Sequence, residues 1–391
     1  MKRLLLPILL AATLPAADSH VAPAMNAFTT DTYKQLAPGD ANLILSPFNI
    51  STALSMVLAG ARGRTAEEIK SVLHLQNDPN FDASLAALLA DLAKSGNTGG
   101  NELLTANGLW VQKGFDLQPP YSKTLADNYH APPTPVDFIL NAEAARSRIN
   151  AWTEEHTKGR IKDLFASGSL DAQTRLVLTS AIYFYGMWES PFVPSKTQPA
   201  PFRHSTGATT QTDFMNQTSH FDYTDTSAAQ ILEMRYAGTG MAFDILLPKT
   251  ATGLPELEKT LTNENLTAWF GKLSSRNVQL SLPKFRAESE FSLAKTLSTM
   301  GMPTAFTNKA DLSGISAKGG LTITHVVHKA FVDVSERGTE AAAATGVAIS
   351  LAAVHVPDQP VVFRADHPFI FLIRDTQSGA VLFIGRLMNP K

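Results

Sequence analysis

The sequence predicts an α+β protein whose helices and strands follow one another without a fixed repeat. Three observations carry this. Apolar residues recur at helical spacing from Ser51 to Leu75. Unbroken apolar runs such as LVLTSAIYFYGMW (residues 176–188) read as long buried strands. The strand candidates are spaced too unevenly for βαβ units. With 391 residues, 44% of them hydrophobic, the chain can bury one large core or two smaller ones.

The elements follow in order. Lys2 and Arg3 precede an apolar stretch from Leu4 to Leu14 that is too short to span a bilayer. This is the layout of a cleavable export signal, and the small residues around Ala17-Asp18-Ser19 predict a mature start near His20, although Pro15 works against a cut directly after Ala17. Residues 1–19 are therefore expected to be a signal peptide and 20–391 one domain, exported to a periplasm or secreted. The helical pattern of 51–75 breaks near Gly60–Arg64, and Thr65 followed by Glu68 predicts a capping box opening a second helix. SGNTGGN (95–101) is the most linker-like stretch. ANGLWVQ (106–112) reads as a strand and AEAARSRINAWTEEHTKGRI (142–161) as an amphipathic helix. Later strands are expected at MAFDILLP (241–248), NVQLSLPKF (277–285), HKAFVDVS (328–335), FIFLIRD (369–375) and AVLFIGRL (380–387).

Composition removes several function classes. A net charge of −2, with basic residues scattered, offers no footprint for nucleic acid. No stretch after the leader has the length and apolarity of a membrane span. The absence of cysteine excludes disulfides, thiolate chemistry and Cys-based metal sites. His325 and His328, three apart in a strand, face opposite sides and cannot share a metal. No GxSxG, HExxH, P-loop or dinucleotide fingerprint occurs, so neither an enzyme nor a cofactor site is expected.

The segment ERGTEAAAATGVAIS (336–350) is the most informative one. As a strand it would present Thr339, Ala341, Ala343, Thr345, Val347 and Ile349 on one face, all small or apolar and all buriable. Four consecutive alanines with Gly338 and Gly346 are nevertheless poor strand formers, and composition alone fits a helix equally well.

Several strings, taken together and in this order, resemble the serpin family over roughly Phe28 to Pro390: NLILSPFNISTALSMVLAGARGRT, INAWTEEHTKGRIKDLF, LTSAIYFYGMWESPF, SLPKF, HKAFVDVSERGTEAAAATG and FRADHPFIFLIRDTQSGAVLFIGRLMNP. The resemblance implies an α+β serpin fold, with three β-sheets, surrounding helices and an exposed reactive-centre loop at about 336–362. It further implies a monomeric inhibitor that traps a serine protease as a covalent acyl complex when the cut loop inserts into the main sheet. From Thr339 to Ala352 such a strand would span roughly 43 Å. Counting seventeen residues from Glu336, as the family does, puts the reactive bond at Ala352–Ala353, with Leu351 or Ile349 as alternatives if the loop length differs. Small residues there suit elastase-like or subtilisin-like proteases. The hinge is then Glu336, Gly338, Thr339, Glu340, Ala341, Ala342, Ala343 and Ala344.

Two further sets carry over from the family. Lys284 is the expected partner of Glu336, with Trp188 beneath the mouth of the sheet; a solvated surface pair is the competing reading. Ser46, Asn49, Ser180 and His328 form the expected cluster under the sheet's opening. The family usually has serine at the position of Asn49 and asparagine at that of Ser180, so the two types are exchanged here. Each side chain both donates and accepts, so one network can survive the exchange. The rival class is a non-inhibitory member, a binding or carrier protein or a protease substrate, and the small hinge residues speak against it.

Overall fold

A computed structural model describes residues 20–75, 78–339 and 359–390. The predicted leader, the hinge from Glu340 to Ala344 and the candidate bonds at Ile349, Leu351 and Ala352–Ala353 lie outside the described residues.

The chain begins with α1 (Val21–Leu36), a short strand β1 (Leu43–Leu45) and α2 (Pro47–Gly60). Ser46 caps α2 by accepting from the Asn49 N–H, and Pro47 occupies the first turn, where its missing N–H costs nothing. The break after Gly60 is real, but α3 (Gly63–Val72) starts one turn earlier than the capping-box pattern predicts. Thr65 spends its hydroxyl on the Asp311 N–H, and Glu68 turns to Arg64 and Thr304. Tertiary partners outbid the local cap.

After α4 (Phe81–Gly96), the linker-like stretch is fastened on both sides. Asn101 donates to Thr98 and Ala237 carbonyls, and Gly99 (φ +63°) lies so near Ala237 that a Cβ would meet its oxygen at 2.6 Å. It leads into β2 (Glu102–Gln112), α5 (Pro119–Tyr129), β3 (Thr134–Val136), α6 (Phe138–His156, kinked at Asn141) and β4 (Leu176–Met187). Then come β5 (Gln198–Arg203), β6 (Thr209–Asp225), β7 (Ala229–Arg235) and β8 (Met241–Pro248), followed by α7 (Leu254–Thr260) and α8 (Asn263–Phe270). The last group is β9 (Ser274–Pro283), β10 (Phe285–Ser292), α9 (Ala294–Met300), β11 (Ile323–Ser335), β12 (Gly338–Thr339), β13 (Val361–Arg364), β14 (Phe369–Asp375) and β15 (Val381–Leu387).

Hydrogen bonding gathers the strands into two networks. One has six strands in the order β10-β11-β12-β4-β2-β3; the other runs β1-β15-β14-β8-β7-β6-β9-β13, with β5 on β6. The 17-residue β6 is why the second network is continuous. Its C-terminal end pairs with β7, its middle with β9 and its N-terminal part with β5, so two expected sheets meet along one strand.

The β4 strand is buried on both faces, which explains its unbroken apolar run. Its inner face meets the main core, with Leu178, Ile182 and Phe184 beside residues of α2. Its outer face carries Val177 into the cluster that α6 covers. Trp152 of α6 sets its ring edge-on to Trp110 of β2 at 5.3 Å, fixing the helix across the sheet. Among the described residues no helix is long and apolar enough to cross a membrane.

A forked sheet as candidate functional site

The six-stranded sheet has a seam between β4 and β11. From Leu176–Ala181 and Ile323–Lys329 the two strands pair directly and in parallel. Beyond that they part, and β12 sits between their ends: Thr339 lies opposite Gly186 and Val334, and Gly338 opposite Met187 and Ser335. A strand two residues long thus occupies the open end of a fork.

Two features make these residues fit. Gly338 presses against the β4 backbone, where a Cβ would sit 1.9 Å from the Gly186 oxygen. The close approach of two backbones, which no side chain could share, is what requires glycine here. Thr339 is 1% exposed and points to the core, where its hydroxyl meets the Tyr236 hydroxyl at 2.5 Å. Burial raises the Tyr236 pKa, so the phenol keeps its proton and can donate.

The turn before β12 is held from below by Trp188. Its indole N–H donates to the Ser335 carbonyl at 2.9 Å, its backbone N–H to Arg337, and its ring stacks on Tyr236 at 4.7 Å. Lys284 lies 3.0 Å from Glu336, and the Thr197 hydroxyl donates to the other carboxylate oxygen at 3.0 Å. Burial alone would raise the Glu336 pKa, but bonds from its own backbone, Lys284 and Thr197 outweigh it and hold the group below the usual carboxylate value. The Lys284 side chain is 39% exposed and that of Glu336 14%. The pair is therefore neither fully solvated nor a buried bridge.

The closed end of the seam is tied from inside by a polar cluster. The Ser46 N–H donates to His328 Nε2 at 2.9 Å, so the ring proton sits on Nδ1 and faces the Ser180 carbonyl at 2.9 Å and its hydroxyl at 3.1 Å. The Asn49 amide donates to Ser180 Oγ and to the Ala181 carbonyl, both at 3.0 Å. Ser46, Asn49, Ser180 and His328 are all fully buried. Burial pushes the His328 pKa down to about 4, against a partly restoring bond to Ser180, so the ring is neutral. The cluster joins α2, β4 and β11 across the seam. His325 instead lies on the far side of β11, edge-on to Phe165.

All four residues expected in this cluster thus meet in space, as do Lys284 and Glu336, while Trp188 bonds to Ser335 and Arg337 on either side of Glu336. Sequence reasoning missed Tyr236, Thr197 and Asn107, whose amide donates to Asn49 Oδ1 at 2.8 Å. Each reaches the site from a different strand or turn, and no local pattern marks Tyr236 or Thr197. Asn107 alone had a usable signal, a polar residue inside an apolar strand.

A family model described as serpin (serine protease inhibitor) matches residues 23–390. An uncharacterized serpin-like protein of Thermococcus kodakarensis is 41% identical over 96% of this chain and 87% of its own length. The leukocyte elastase inhibitor of Bos taurus is 42% identical over 89% of this chain and 93% of its own. The crystal structure of Serpin48 from Tenebrio molitor superposes with a TM-score of 0.84 at 35% identity, covering 96% and 99% of the two chains.

Proposed function

This chain belongs to the serpin family, and we propose that it is an inhibitory member, a suicide substrate that traps a serine protease. The carrying observation is the fork itself: Gly338 and Thr339 already lie between β4 and β11, with Thr339 buried. The protease serine attacks the carbonyl of Ala352, the bond to Ala353 breaks, and the acylated chain then extends β12 down the seam, carrying the enzyme with it. The sequence beyond Thr339 suits this passage, because Ala341 to Ala344 offer no bulk and Thr345, Val347 and Ile349 complete a buriable face.

The target is proposed to be elastase-like or subtilisin-like. A small residue before the cut supports it, and so does the 42% identity to a protein named leukocyte elastase inhibitor. The test is to mix the purified protein with elastase and run a denaturing gel. A covalent band that survives detergent supports inhibition, and the mass of the released C-terminal peptide locates the bond. Clean cleavage with full protease activity would overturn the inhibitory reading in favour of a carrier or substrate. We also propose that the protein acts outside the cytoplasm, on the strength of the Lys2–Leu14 leader, and that it is a monomer, as its family resemblance implies. A mature chain that retains Met1 would sink the export claim, and sizing chromatography tests the monomer.

A further inference from the structure

On the outer face of the sheet, Tyr183 of β4 and Phe331 of β11 stack across the fork with ring centroids 6.1 Å apart and planes 27° apart. Both are buried, at 3% and 9% exposure. The Arg160 guanidinium lies over the Tyr183 ring at 5.8 Å and that of Arg286 over Phe331 at 5.3 Å. The four side chains form a file, cation–ring–ring–cation, that bridges the two strands.

Its position in the register is what gives it a role. Direct pairing ends at Ala181 and Lys329, and β12 ends at Gly186 and Val334. Tyr183 and Phe331 lie between these limits, two residues past the last direct pair on each strand. A strand extended from Thr339 in the same register would bring position 342 between the two rings, and that position is an alanine. Any advance of β12 must therefore separate the rings before it reaches the closed seam.

We propose that the Tyr183–Phe331 stack, braced by Arg160 and Arg286, is a latch whose parting helps set the rate of strand insertion. These are positioning residues rather than contacts to the protease. The role rests on the inhibitory reading, but the test does not. A synthetic peptide of residues 339–350 is incubated with the uncleaved full-length protein, and its annealing into the sheet is followed as a band shift on native gels, with no protease present.

Tyr183→Leu and Phe331→Leu keep apolar bulk and remove the stack. Each is expected to speed annealing about three- to tenfold, and the double variant no further, because either change alone breaks the contact. General loosening of the sheet would instead make the two effects add, and that outcome, or rates within twofold of the parent for both, overturns the latch. If the leucine variants do not fold, Arg286→Gln at the exposed rim is expected to speed annealing about twofold, and an unchanged rate there overturns it. A protein that anneals as expected yet forms no protease complex would retain the latch while losing the inhibitory reading.

Discussion

At the open end of the β4–β11 seam, the contacts that seat β12 are mixed: a backbone approach at Gly338, one buried hydroxyl pair, an indole under the turn and an ion pair that still touches solvent. At the closed end the ties are polar and uncharged: Ser46, His328, Ser180 and Asn49 are fully buried and link β11, β4 and α2, and half-buried Asn107 backs Asn49 from β2. The open end tolerates movement because it can exchange several contacts for water one by one. The closed end cannot, because a buried polar group that loses its partner bears the full desolvation cost. A sheet that is to open in one direction only needs this asymmetry.

The largest expected effect probes the open end. Thr339→Arg would bury an unpaired charge against the Tyr236 hydroxyl, at a cost of several kcal/mol. Insertion then loses the race with hydrolysis, and the detergent-stable complex is expected to fall at least about tenfold while the loop is still cut. Undiminished complex on the gel would show that the seat of Thr339 does not matter.

Next comes the charge state of the closed end. His328 has a folded pKa near 4 against an ordinary value of 6.5. Between these the unfolded chain binds a proton that the folded chain does not, so stability falls as pH drops from about 6.5 to about 4, by on the order of 3 kcal/mol. Buried Asp244 has its pKa raised by burial and by Glu233 against the pull of Arg374, and this acts with the opposite sign over part of the same range. The measurement is therefore a difference: denaturant midpoints against pH for the parent and for His328→Gln. Parallel curves would exclude His328 as the acid-sensitive tie.

How much of this was legible in the sequence depends on how each residue reaches the site. The strands of the seam announce themselves, because β4 is covered on both faces and reads as one apolar run. Glu336, Lys284, Trp188 and the buried cluster came from ordered family strings, not from pattern. Thr65 shows the limit of local reading, since a sound capping box yielded to the Asp311 N–H some 246 residues away. Tyr236 and Thr197 show it again, because only the folded chain brings them to Thr339 and Glu336. The depth to which the hinge enters the fork also needed coordinates, since a conditional strand carries no mark of where it stops.

The exchanged pair gives a smaller effect. Asn49→Ser removes an amide that donates twice from α2 to β4, beside the seam, and accepts from Asn107. The shorter hydroxyl cannot replace all three bonds, so a loss of about 1–3 kcal/mol is expected from the unfolding midpoint. Adding Ser180→Asn should restore part of it, because the amide returns on β4, facing α2. An unchanged midpoint in the single variant would mean the exchange is incidental and the closed end does not depend on it.

The ion pair is expected to matter least, and that makes it the sharpest check on the asymmetry. Lys284 is more than a third exposed, so solvent and salt screen its attraction to Glu336. Glu336 also keeps its bond from Thr197 when the lysine is gone. Lys284→Met should thus cost under about 1 kcal/mol, less still in high salt. The Glu336 pKa is depressed in the folded state, so its contribution is present above its unfolded value and fades as pH falls through the folded one. Parent and variant should therefore converge in acid. A salt-independent loss as large as that of Asn49→Ser would mean that the open end is tied as tightly as the closed one, and the direction of opening would need another cause.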